Sequence, residues 1–172
     1  MSLFRKKITA EEFIQSLVDE ILKSENKVDF SNTKFFTDQD IGKLKEYILV
    51  FRLHLLSLYL TVNSKNVFDV GKTFVLTYDS IKKSGRSLGW SDDKIKQTSD
   101  AVYAVQQNYE ARIGEETQHP DDLFFHSCRY FSEFLFPDEP KGSEKSVGSF
   151  GLATSIYKNL NKIFKRYTIV IS

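Results

Sequence analysis

A chain of 172 residues is long enough to bury one core of its own, and an apolar share of 41% beside 27% charged residues excludes a disordered polymer. The net charge of +1 gives no reason to expect nucleic acid as a partner. A single cysteine, Cys128, excludes an internal disulfide, and no apolar leader run follows the basic Met1–Ile8 segment, so the expected compartment is the cytoplasm.

Thr9-Ala10-Glu11-Glu12 has the form of a capping box, in which hydroxyl and carboxylate each satisfy a backbone N–H of the first turn. Apolar residues at Phe13, Ile14, Leu17, Val18, Ile21 and Leu22 then predict a helix ending near Ser24. Residues 25–36 form a polar connection, with Val28, Phe30, Phe35 and Phe36 as its anchors on the core.

Thr37, Asp38 and Asp40 open a second helix, with carboxylates where the helix dipole favours them. This helix, about 38–62, contains the stretch that organises the chain. From Tyr47 to Val62 it is apolar almost all round, broken by Arg52, His54, Ser57 and Thr61. A helix greasy on every face is buried on every side. Charge in mid-run argues against a membrane span, which needs about 20 apolar residues.

After a short turn at 63–66, Val67, Val70, Gly71, Phe74, Tyr78 and Ile81 predict a third helix folding back antiparallel, and the pattern breaks over Ser84–Gly89. Ser91 caps a fourth helix, with Asp92 and Asp93 in its first turn and Trp90 placed to staple onto Ile95. Its stripe of Val102, Val105, Tyr109 and Ile113 ends at Gly114. Pro120 suits the first position of a fifth helix, which carries Leu123, Phe124, Phe125, Cys128, Phe131, Phe134 and Leu135 and stops before Pro137. Residues 137–146 read as a flexible connection to a last amphipathic helix bearing Val147, Phe150, Ile156, Tyr157, Leu160, Ile163 and Phe164. The tail, Thr168–Ile171, is β-branched and poor for helix. Three fates are open to it: extending the helix, pairing as a short strand, or docking on a partner. The expected fold is all-α, a single domain over 1–172 with five or six helices around the buried one.

Three groups of residues carry chemistry. Glu116, His119, Asp122 and His126 have metal-ligand character. Glu116-x-x-His119 has the spacing of carboxylate-bridged metal bundles, and Asp122 and His126 share a helical face. Pro120 disfavours helix at His119, however, and the second Glu-x-x-His of a di-metal bundle is missing. Arg52 and His54 either line a polar pocket for a small anion or lie on the least buried edge of the central helix, with Arg52 snorkelling outward. Arg5, Lys6 and Lys7 at one end, and Lys158, Lys162, Lys165 and Arg166 on the last helix, form two basic segments. These suit a protein partner or an anionic membrane surface, and would form one patch if the ends met.

Cys128 and His126 stand two apart, so on a helix they point apart and form no dyad. The sequence carries no glycine-rich phosphate loop, Walker lysine, Gly-x-Ser-x-Gly elbow or Cys-x-x-Cys. The leading expectation is a non-enzymatic helical binding or regulatory domain acting through protein–protein contacts, with a protein partner or a second copy of the chain and without a cofactor. A metal-dependent helical-bundle enzyme and a peripheral membrane protein are the alternatives.

Overall fold

The first two helices open as their sequences dictate. In the computed structural model, which describes residues 6–24, 34–63, 70–113 and 122–170, the Thr9 hydroxyl accepts from the Glu12 N–H (3.2 Å). The Glu12 carboxylate accepts in turn from the Thr9 N–H (3.0 Å), which starts helix α1 (Ala10–Lys23). Thr37 and Asp40 repeat the device for α2 (Asp38–Asn63). The Asp40 carboxylate accepts from the Thr37 N–H (2.8 Å) and hydroxyl (2.7 Å), and the Thr37 hydroxyl accepts from the Asp40 N–H (3.3 Å).

With 26 residues, α2 is about 39 Å long at about 1.5 Å per residue. It packs against all of the other helices: α1, α3 (Val70–Ser87), α4 (Asp92–Ile113), α5 (Asp122–Leu135) and α6 (Glu144–Phe164). Phe51, Leu53, Leu55 and Leu56 have no exposed surface, so the expected all-round burial holds along the middle of this helix. The Phe51 ring meets Phe131 of α5 at 4.6 Å between centroids, and Tyr59 meets Phe164 of α6 at 4.3 Å. The domain is an all-α bundle of six helices among the described residues.

Three local findings differ from the sequence reading, and a fourth decides among fates it had left open. First, α3 runs on through Ser84 and Gly85 to Ser87. Gly85 lies within the helix, and its lack of a side chain serves packing: a Cβ there would meet Ile95 at 3.0 Å and the Trp90 ring at 3.2 Å, so glycine permits the close approach of α4 to α3. The helix ends at Ser87 and is closed off by Gly89, whose φ of 76° is left-handed, with the Trp90 N–H turning back to the Gly85 carbonyl (2.9 Å).

Second, α6 begins at Glu144, inside the connection expected over 137–146, because the Ser143 hydroxyl caps it by accepting from the Ser146 N–H (3.2 Å). Third, Phe125 and Val147, expected on buried stripes, are 56% and 60% exposed. The buried face of α6 runs instead through Ser149, Ala153, Ile156, Leu160 and Phe164, and Val147 lies off that line.

Fourth, the C-terminal tail pairs as a strand. β2 (Tyr167–Val170) lies parallel to β1 (Lys6–Thr9), a strand that the sequence reading treated only as a basic cluster, with Lys6 opposite Tyr167 and Thr9 opposite Val170. Short as it is, the pair is anchored. Ile8 is 5% exposed, and Tyr167 meets Phe13 edge-on at 5.5 Å.

Polar contacts fix helix pairs against one another. The Ser84 hydroxyl of α3 donates to the Asp19 carboxylate of α1, while Gln15 Nε2 donates to both Ser84 Oγ (2.8 Å) and Asp19 Oδ1 (3.1 Å). At the other end of the bundle, Lys145 Nζ of α6 lies 3.2 Å from Asp40 Oδ2 and 3.6 Å from Glu139 Oε1. Desolvation works to raise the Asp40 pKa, but the Thr37 hydrogen bonds and Lys145 outweigh it and hold the carboxyl below its ordinary range. A depressed pKa of this kind adds stability above the ordinary carboxylate range of about 4, and that stability is lost as the folded group protonates. Asp40→Asn is therefore expected to cost about 1–2 kcal/mol at pH 7 and progressively less as acidification protonates the folded carboxyl, as measured by urea denaturation across an acid pH series.

Candidate functional site

Two features gather the chemistry-bearing residues, and both involve α6. The first is a cleft of about 280 Å³ between α1, α2 and α6. Its floor is Leu17 and Ile21 of α1 with Ile156 and Leu160 of α6, all buried. The helical spacing that fills the core also creates the cleft's mouth. Glu20 and Ser24 follow Leu17 at one turn and two turns along α1, and Ser155 and Asn159 lie four apart on α6.

Arg52 of α2 enters this cleft from the side. Its Nη1 donates to Ser24 Oγ (3.3 Å) and reaches the Ser24 carbonyl at 3.5 Å, the limit of a hydrogen bond. The guanidinium is half-buried, and burial lowers its pKa from the ordinary value. Among the described residues, no carboxylate lies within 4.0 Å of Arg52 to form an ion pair.

His54 does not share this cleft. Two residues along a helix is more than half a turn, and the imidazole points to the opposite side of α2. There it is 2% exposed, with Nε2 at 3.3 Å from Ser127 Oγ of α5 and its ring beside Phe51 at 6.3 Å. Burial drives its pKa down to about 3, so the ring is neutral at physiological pH. The expected pairing of Arg52 with His54 is therefore separated by the helix itself. His54 also lies in the core, where an exposed edge was one of its two expected settings.

The second feature is the basic end. Parallel pairing places Lys7 of β1 opposite Thr168 of β2, directly after the last turns of α6. Lys7, Lys158, Lys162, Lys165 and Arg166 are all exposed. Lys158, Lys162 and Lys165 share one face of α6, to one side of the Ser155–Asn159 line that borders the cleft. Arg5 and the Lys6 side chain lie outside the described residues. Each strand of the pair has an outer edge with no strand beside it among the described residues, which leaves backbone donors and acceptors available there.

Of the expected metal ligands, Glu116 and His119 lie outside the described residues, as does the side chain of Asp122 at the start of α5. His126 is half-buried, edge-on to Phe125 at 5.7 Å and stacked on Tyr130 at 6.3 Å. No group of three or more His, Cys, Asp or Glu able to hold a metal occurs among the described residues. Cys128 is 2% exposed, and its thiol is pushed up to about 12 by burial, against a smaller opposing hydrogen bond with Thr154. That pKa leaves no thiolate for nucleophilic chemistry at neutral pH.

A broader groove of about 620 Å³ runs between α2, α4 and the end of α5, lined by Val50, Ala101, Ala104 and Phe134. The buried Tyr47 hydroxyl beside it has no hydrogen-bond partner among the described residues, and burial raises its pKa. Ser24, Ser155 and Asn159 were not singled out from the sequence. The only signal for the last two was a polar pair at helical spacing on an otherwise apolar face. No helix among the described residues is long and apolar enough to cross a membrane. Neither a protein-family model, nor a curated protein, nor a solved structure matches this chain.

Proposed function

We propose that this chain is a non-enzymatic helical binding domain that acts through protein–protein contacts at its basic end. One observation supports the reading: the β1–β2 pairing sets the backbone of Lys7 beside Thr168, two residues past Arg166, with Lys7, Lys165 and Arg166 all exposed and each strand free of a further strand at its outer edge among the described residues. The partner we assign is an acidic segment of another protein that adds alongside the strand pair. Main-chain hydrogen bonds supply affinity in such an arrangement, and the lysines supply steering and register. A second copy of the chain fits less well, since a symmetric contact through this surface would set basic groups against basic groups. The proposed compartment is the cytoplasm, in keeping with a lone buried thiol.

The test uses the full chain as bait, with wild type compared against a K158E/K162E/K165E variant. The expected result is a protein partner whose affinity falls at least tenfold in the variant and also weakens steeply as salt is raised. Equal retention by both baits would overturn the proposal. So would recovery of phosphatidylserine vesicles in place of any protein, which favours the membrane alternative. Stoichiometric metal in protein purified without chelator would count for the enzyme alternative.

A further inference from the structure

We infer that the cleft beside Arg52 is a binding site for a small organic monocarboxylate with an apolar body. A guanidinium has five N–H donors arranged to grip a carboxylate through two parallel hydrogen bonds. Here the group makes two long contacts from Nη1 to Ser24, and no carboxylate of the described residues pairs with it.

The cleft around it has the composition of a ligand site. Its floor is apolar, through Leu17, Ile21, Ile156 and Leu160, and Asn159 and Ser155 add hydrogen-bonding groups at the mouth. Its volume of about 280 Å³ falls just below the roughly 300–1,000 Å³ typical of such sites. The occupant is therefore compact. Its carboxylate lies on Arg52 and its hydrocarbon part covers the floor.

Glu20 narrows the class further. It is exposed at the mouth, where water screens it, so it tolerates one acid group held deeper on Arg52. A second acid group projecting outward would meet it and be repelled, which disfavours dicarboxylates. The lysine row on α6 adds a favourable field for an approaching anion. Occupancy of the cleft would not depend on whether the basic end also holds a protein.

The intact chain is titrated with hexanoate, hexanamide and succinate, and binding is followed through the methyl signals of Leu152, Ile156 and Leu160. Hexanoate is expected to saturate in the millimolar range, with hexanamide and succinate at least tenfold weaker. R52K should weaken hexanoate about tenfold, because a point charge replaces the fork. S155W, at an exposed mouth position, should abolish binding by filling the cleft. The inference is overturned if hexanoate fails to bind, if hexanamide matches it, or if S155W binds as the wild type does. The comparison of hexanoate with hexanamide is made on the unaltered chain, so a variant that fails to fold leaves it intact.

Discussion

Replacing His54 with leucine will flatten the dependence of stability on pH between 6.5 and 5. The imidazole is 2% exposed and has a folded pKa near 3, whereas in the unfolded chain it titrates near its ordinary value of about 6.5. Between these two values the unfolded state takes up a proton that the native state refuses. The stability tied to the neutral ring is therefore complete above pH 6.5 and is lost as pH falls toward 3. The slope for one such group is about 1.4 kcal/mol per pH unit, so wild type should lose about 2 kcal/mol more than H54L between pH 6.5 and 5. Denaturant unfolding at a series of pH values measures this directly, and parallel slopes would mean that the ring is not held neutral in the core. At pH 7 the variant should be only about 1 kcal/mol less stable, since leucine fills a similar volume but leaves the Ser127 hydroxyl one partner short.

Phe13→Ala is expected to cost about 3–5 kcal/mol, the range for removing a large ring from a core that cannot collapse around the gap. Phe13 has no exposed surface. Its ring touches Tyr59 of α2 at 6.0 Å, Phe164 of α6 at 6.1 Å and Tyr167 of β2 at 5.5 Å. Four elements therefore converge on one side chain. Beyond the global loss, the amides of residues 167–170 should exchange with solvent before those of α2, because β2 loses its anchor while α2 keeps its others. Phe125→Ala is the matched control. That ring is 56% exposed, so its removal should change stability by no more than about 0.5 kcal/mol. Equal costs for the two substitutions would refute the packing described here.

The central helix was legible because a stretch apolar almost all round, such as Tyr47–Val62, can be satisfied only by neighbours on every side. The caps were legible for a similar reason. Thr9 with Glu12, and Thr37 with Asp40, act over three residues, so their geometry is local. His54 was not legible in the same way, because Arg52 and His54 are polar interruptions of one apolar stretch, and which of them faces inward depends on Ser127, remote in sequence. The break expected over Ser84–Gly89 began too early, because at Gly85 the missing side chain serves a close approach of helices and not a change of backbone. The Arg52 cleft was half legible. Its cation stood out in the sequence, while Ser155 and Asn159 acquire meaning only once α6 lies against α1. The β1 strand, four residues with a partner at the far end of the chain, left no local pattern to read.

That last pairing has a consequence for biosynthesis. During translation Lys6–Thr9 leaves the ribosome well before its hydrogen-bonding neighbour, Tyr167–Val170, is made. The nascent protein can assemble its helices as they emerge, but the β1–β2 seam forms only after residue 170 clears the exit tunnel, and a product stalled short of that point would carry β1 unmatched.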